Sequence, residues 1–204
     1  MIREAFVKTL PPDGRLDYRP ALIAPQAADD LLDCLAREID WQQRTLKIFG
    51  KTLPQPRRVC FMGDPGVDYS YSGDRHRAAD WHPAVAVLRE VLVGVLGVSF
   101  NCVLLNAYRS GDDCMGWHAD DEPELGTNPV IASISLGAVR RFRLRARREH
   151  SRALTLEPAH GSLLVMAGDL QHHWQHQLPR TRRKVGLRIN LTFRRILPDR
   201  RNRR

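Results

Sequence analysis

Cysteine is scarce in this chain and scattered: Cys34, Cys60, Cys102 and Cys114 form no CxxC pair and no zinc-like spacing. That argues against a disulfide framework and fits small buried residues in a reducing compartment. Apolar runs are short. None approaches the roughly 20 residues needed to cross a bilayer, so no membrane span is expected. The opening MIREAFVKTLPPDG has neither an apolar core of signal-peptide length nor a small-residue cleavage site, so no export is expected either. The compartment expected is the cytoplasm of a bacterium or the nucleus of a eukaryote. No internal repeat or low-complexity tract appears, which leaves an ordinary globular chain.

Acidic residues are the minority charge. Against 32 Lys and Arg stand 23 Asp and Glu, a formal excess of +9 that favours a polyanionic partner such as nucleic acid. The closing RRILPDRRNRR reads as a solvated basic arm able to add phosphate contacts. A length of 204 residues fits one domain with a substantial core. Nothing in it demands more than a monomer.

Hydrophobic periodicity divides the chain into two halves. The first 20 residues read as irregular, punctuated by Pro11, Pro12 and Gly14. From Pro25 to Asp40, Ala28, Leu31, Leu32, Leu35 and Ile39 share one stripe, which predicts an amphipathic helix with Pro25 in its first turn. RTLKIFGKTLPQPRRVCFMGD then reads as two extended runs in a hairpin, and GDPGVDYSYSGD as a turn-rich, aromatic surface segment. A second helix is expected over 82–96, with Gly97 as its stop. Beyond Phe100, the runs FNCVLLNAY, VIASISL, RRFRLRA, ALTLE, GSLLVMAG and GLRINLTFR predict successive short strands. The fold class is therefore mainly β with flanking helices, arranged as a sandwich or jelly roll.

Within the second half, WHADDE sets clustered acids into a basic protein. His118 and Asp120 are two apart, so on an extended chain they share a face. One distal histidine would complete a two-histidine, one-carboxylate triad that leaves coordination positions open on Fe(II). QHHWQHQLPR offers His172, His173 and His176; on a strand His172 and His176 would share a face while His173 points the other way, so spacing alone does not choose among them. In RINLTFRR, Arg188, Asn190, Thr192 and Arg194 alternate with Ile189, Leu191 and Phe193. Two guanidinium groups on one polar face suit a small dianion. Asn106 and Tyr108 offer similar chemistry on another strand. No Ser-His-Asp or Cys-His nucleophile is evident, and Cys114 reads as a packing residue.

HADDE, HQLPR and RINLTFRRI together resemble the AlkB family of Fe(II)- and 2-oxoglutarate-dependent dioxygenases, which repair alkylated nucleobases. The likeness runs from TLKIFG through GDPGVDYSYSG, NAYRSGDD, SISLGAVRRFRLR and HGSLLVM to RINLTFRRI. In motif order it is most similar to the members that act on double-stranded DNA. The resemblance implies a double-stranded β-helix (jelly roll) with an N-terminal helix and a hairpin nucleotide-recognition lid. One dioxygenase domain would fill residues 1–204: an extension and helix to about 41, a lid over about 42–80, a helix and catalytic barrel over about 81–196, and the basic tail.

By the same resemblance, His118, Asp120 and His176 are iron ligands. Arg188 and Arg194 hold the two carboxylates of 2-oxoglutarate, with Arg194 on the distal one, and Asn106, Tyr108 and Asn190 add hydrogen bonds. Iron, 2-oxoglutarate and O2 would oxidise the N-methyl carbon of 1-methyladenine or 3-methylcytosine. The unstable hemiaminal then releases formaldehyde and the intact base, with succinate and carbon dioxide as coproducts. Asp121 and Glu122 would face the cationic base, which an acid stabilises in a pocket of low dielectric constant. Tyr69 and Tyr71 fall in the lid, Arg57 would reach a base edge or phosphate, and Ile48 and Phe49 match an apolar wedge that fills the gap left by a flipped base. The expected partner is alkylated DNA, including duplex, with RNA as a further substrate. The rival readings are a 2-oxoglutarate oxygenase of RNA, protein or a small molecule, and a catalytically silent nucleic-acid binder.

Overall fold

The computed structural model describes residues 4–10, 14–48, 50–71 and 74–198, with the backbone course alone for 46–48, 68–71 and 74–77. In chain order its elements begin β1 (Phe6–Leu10), β2 (Gly14–Arg19), α1 (Pro25–Glu38), β3 (Thr45–Ile48), β4 (Lys51–Pro54), β5 (Arg58–Gly63), β6 (Asp68–Tyr71), β7 (Asp74–Arg77) and α2 (Pro83–Leu96). They continue with β8 (Cys102–Tyr108), β9 (Met115–His118), β10 (Ile131–Gly137), β11 (Phe142–Ala146), β12 (Ala153–Leu156), β13 (Ser162–Ala167), α3 (Leu170–His173), β14 (Trp174–Leu178) and β15 (Arg188–Arg194).

Two antiparallel sheets face one another as a jelly roll. The larger runs β1-β2-β13-β10-β15-β8-β5 and the smaller β12-β11-β14-β9. Strict alternation along the central strands of the larger sheet decides what lies on each side. In β15, Ile189, Leu191 and Phe193 pack with Val103, Leu105 and Ala107 of β8 and with Leu35, Val85 and Leu92 of the two long helices. Each such buried side chain contributes about 1.5–3 kcal/mol. The intervening Arg188, Asn190, Thr192 and Arg194 point into the space between the sheets. The helices thus seal one face of the sheet, and the chemistry is confined to the other.

Both long helices start at proline, whose missing N–H costs nothing in a first turn. The α2 helix is also capped by His82, whose Nδ1 accepts from Ala84 N–H at 3.3 Å, and ends at Gly97 with φ 68°.

Four local expectations need correction. The described part of the first 20 residues is not irregular: Leu10, Leu16 and Tyr18 are buried, and β2 pairs with β13 on one side and with the edge strand β1 on the other. Proline and glycine punctuation hid that alternation. The stretch expected as one hairpin holds three strands, since only β3 and β4 pair with each other while β5 joins β8. The turn-rich aromatic segment contains a second hairpin, β6 with β7. Finally, His172 and His173 lie in the one-turn α3, so His172 does not share a strand face with His176.

Candidate active site

Two short strands of the smaller sheet carry the histidines. In the ladder of β14 with β9, His176 stands directly opposite His118, and their ring centroids are 4.1 Å apart. Asp120 lies two residues beyond the end of β9, where its Oδ2 comes 3.9 Å from His176 Nε2. One ligand atom from each of His118, Asp120 and His176 falls within 4.8 Å of the others. The choice that spacing left open among three histidines is thereby resolved geometrically. His172 contacts the Thr127 carbonyl, and His173 contacts Asp169 at 3.4 Å, both away from this cluster.

The protonation states suit a cation. Burial pushes the His176 imidazole down to about 3, with His118 adding to the effect and Asp120 opposing it. Burial also lowers His118, against the pull of Asp120. Both rings are therefore neutral at pH 7 and offer lone pairs. His118 Nδ1 lies 2.9 Å from the Gly116 carbonyl, which can only accept, so the ring proton sits on Nδ1 and Nε2 is left to ligate. For Asp120, burial alone would raise the carboxyl, but Arg194, His176 and His118 outweigh it and hold the value at about 2. The Asp120 Oδ2 and His176 Nδ1 atoms are buried with no hydrogen-bond partner among the described residues. Buried polar atoms normally find partners. Two neutral imidazoles, an ionised carboxylate and an unsatisfied oxygen fit a divalent cation with nitrogen and oxygen ligands.

A cavity opens from this cluster between the sheets. Leu104, Asn106 and Tyr108 of β8, Ser133 of β10, and the polar face of β15 line one wall, while Met115, Phe142 and Leu178 close the other. The two arginines differ in setting. Arg194 Nη2 donates to Asp120 Oδ1 at 2.5 Å, which fixes its guanidinium at the metal end. Arg188 begins the same strand, six residues earlier or ~20 Å along the backbone, and donates to Ser135 Oγ at 2.8 Å. Burial pulls the Arg188 guanidinium down to about 10, still cationic at neutral pH, and its Nε has no partner among the described residues. Asn190 accepts from Ser133 Oγ at 3.0 Å and donates to Thr192 Oγ1 at 2.9 Å. A cationic pole at each end with hydroxyl and amide groups between them is a receptor for a short dicarboxylate.

The remaining expected contacts fall into separate settings. Arg57 is buried, and its Nε donates to Asn106 Oδ1 at 2.9 Å, so it braces the cavity wall rather than reaching outward. Asp121 pairs with Arg147 and Glu122 precedes the short turn Pro123–Leu125, and neither lines the cavity. In this arrangement the Asp121 carboxylate is engaged by Arg147. Ile48 ends β3, and Tyr69 and Tyr71 lie in β6, where only the backbone is described. Phe49 lies outside the described residues.

Sequence reasoning missed Ser133 and Ser135, although the polar alternation in VIASISLG was a signal, and Phe142, whose ring centroid is 5.3 Å from that of His176. A second cluster of ligand-type residues, Cys34, Glu38 and His82, is internally satisfied. His82 Nδ1 accepts from Ala84 N–H, and Nε2 contacts Glu38 at 3.1 Å, leaving no ring lone pair for a metal.

The fold and site together define a 2-oxoglutarate- and Fe(II)-dependent oxygenase, and the 2OG-Fe(II) oxygenase superfamily matches residues 15–194. Solved structures agree on the fold: OsALKBH1 superposes with a TM-score of 0.64 at 17% identity, over 93% of this chain and 99% of that one. A Burkholderia pseudomallei oxidoreductase of the 2OG-Fe(II) oxygenase family gives 0.59 at 16%, over 88% and 84%. Within that class the chain belongs to the AlkB family. It is 38% identical over 192 residues to the mouse DNA oxidative demethylase ALKBH2, covering 89% of this chain and 80% of that protein. The human alpha-ketoglutarate-dependent dioxygenase alkB homolog 3 is 36% identical over 202 residues, covering 94% and 70%. As members of this family do, the protein uses Fe(II), 2-oxoglutarate and O2.

Proposed function

We propose that the protein repairs DNA by oxidative demethylation of bases methylated on the Watson–Crick edge, 1-methyladenine and 3-methylcytosine. The observation that carries this reading is the similarity, over about nine-tenths of the chain, to proteins that are themselves DNA oxidative demethylases. A second feature agrees with it. Arg141, Arg143, Arg180 and Arg183 line one groove beside a single acid, Glu157, so positive charge prevails there and suits phosphates.

His118, Asp120 and His176 would hold the iron, which supplies oxidation by O2 when bound. Arg194 lies at the metal end, so it takes the 2-oxoglutarate carboxylate nearer the iron, and the distal carboxylate falls to Arg188. This reverses the order expected from sequence. Asn106, Tyr108 and Asn190 orient the chain between them, while Phe142, Met115 and Leu178 exclude water. One oxygen atom of O2 enters succinate as carbon dioxide leaves. The other enters the N-methyl carbon, which departs as formaldehyde, and the base loses its methyl group and positive charge.

The test is mass spectrometry of matched single- and double-stranded oligonucleotides carrying 1-methyladenine, incubated with protein, Fe(II), 2-oxoglutarate and ascorbate, with Asp120→Ala as control. Methyl loss that requires iron, 2-oxoglutarate and Asp120 is expected. Succinate formation without methyl loss from DNA, alongside loss from a methylated RNA or other acceptor, would overturn the DNA assignment and leave the oxygenase intact.

A further inference from the structure

Asp120 stands just past the end of β9, so its backbone N–H has no ladder partner, yet its side chain is only 2% exposed. A buried N–H left unpaired there would keep its full desolvation penalty. The partner it finds is Gln171, from α3: Oε1 accepts from Asp120 N–H at 2.9 Å. Gln171 is itself 1% exposed, with its Nε2 set 3.8 Å from Met166 Sδ. The amide is thus enclosed, and its carbonyl is aimed at a single donor.

The same residue is held from outside. Arg147 Nη2 donates to the Gln171 backbone carbonyl at 3.1 Å and also pairs with Asp121, while Arg147 N–H donates to the His173 carbonyl at 2.8 Å. The chain therefore runs from Asp121 through Arg147 and Gln171 back to Asp120. It straps the loop after His118 to the helical turn before His176. Strand pairing already fixes the two histidines against each other. Nothing in that ladder fixes Asp120.

We propose that Gln171 is a positioning residue for the metal carboxylate, with Arg147 as its outer brace, so that Asp121 acts through this strap and not on the base. The inference rests on the assignment of Asp120 as a ligand. Groups behind metal ligands typically change metal affinity by about 10–100-fold when removed.

The test titrates the full-length apoprotein with Co(II), an air-stable stand-in for Fe(II), following its visible absorption. Gln171→Met keeps the length of the side chain but removes the acceptor. It is expected to weaken Co(II) binding at least tenfold and to alter the ligand-field bands. Gln171→Glu, which keeps an acceptor, should return affinity to within a few-fold of wild type. Arg147→Met, a change at an exposed side chain, should weaken binding several-fold and serves if Gln171→Met does not fold. Wild-type affinity and bands in Gln171→Met, or in Arg147→Met where that substitutes for it, would overturn the proposal. Asp120→Ala separates the two readings. If it too binds Co(II) as wild type, the ligand assignment fails; if it alone loses binding, only the strap fails.

Discussion

Arg194 donates to Asp120 at 2.5 Å with both side chains buried, so the residue that ends the arginine strand is locked to the proposed metal carboxylate. Without a cation, that guanidinium is the main counter-charge of Asp120. Replacing it by Met leaves a buried, unpaired carboxylate, a change that typically costs about 3–5 kcal/mol. Arg194→Met is expected to destabilise the metal-free protein by that order, and Co(II) should restore more stability to it than to wild type. Urea denaturation with and without Co(II) measures both effects. Equal stability of the two metal-free proteins would deny the pairing.

At the opposite end, Arg188 is the group proposed to read the distal carboxylate. Arg188→Ala is expected to raise the 2-oxoglutarate KM by about 100-fold, the scale of one lost buried charge-assisted pair. The sharper measurement uses 2-oxopentanoate, which lacks the distal carboxylate. Wild type should prefer 2-oxoglutarate strongly, Arg188→Ala should lose that preference, and Arg194→Met should keep it. Loss of preference in the Arg194 variant instead would restore the order read from sequence.

How far the sequence could be read follows from the length and polarity of each segment. The alternation of Arg188 to Arg194 is long enough to declare a strand with one polar face, and the structure places that face in the cavity. The helical stripes of Ala28 to Ile39 and Val85 to Leu92 were equally legible because they bury one face each. By contrast, β9 and β14 have only four and five residues and include Trp117, Gln175 and Gln177, so they lack an apolar signature. Their pairing is a long-range event, so spacing could not single out His176 and only the family resemblance pointed to it. The partner of Asp121 was illegible for the same reason: Arg147 is 26 positions away.

Asp113 gives a pH dependence whose sign is fixed by its partners. Burial would raise its carboxyl, but hydrogen bonds from Arg109 overcome this and leave it below its ordinary value. Arg109 donates to Asp113 from its backbone N–H at 2.9 Å, Nε at 2.7 Å and Nη2 at 2.8 Å, closing the loop that leads into β9. A depressed carboxylate stabilises the fold above its unfolded value of about 3.9 and loses that contribution as pH falls through the lower folded value. Asp113→Asn should therefore cost about 1–3 kcal/mol at pH 7, and the gap to wild type should narrow below about pH 4. A gap independent of pH in acid unfolding would contradict this.

Gly137 ends β10 with φ 78°, where an added Cβ would meet the Leu187 carbonyl at 2.3 Å. That carbonyl immediately precedes Arg188, which pairs with Gly137 in the ladder. Any side chain must push the start of β15 away. Gly137→Ala is expected to cost at least about 1 kcal/mol and to raise the 2-oxoglutarate KM through displacement of Arg188. Thermal unfolding and cosubstrate titration would show both changes, and an unaltered KM would separate the backbone strain from the site.

The wedge offers the most direct test of duplex use. Ile48 ends β3, which pairs with β4 as a two-stranded sheet separate from both main sheets, and Phe49 is its neighbour in sequence. A base extruded from a duplex leaves an unstacked gap, and an apolar side chain inserted there offsets part of the few kcal/mol lost. A single strand has no such gap to fill. Replacing Ile48 and Phe49 together by Ala is expected to lower repair of 1-methyladenine in duplex DNA by roughly tenfold or more, equivalent to about 1.4 kcal/mol, while single-stranded repair stays within about twofold. If both substrates lose activity equally, the two residues serve general binding or folding, and duplex opening must depend on other residues.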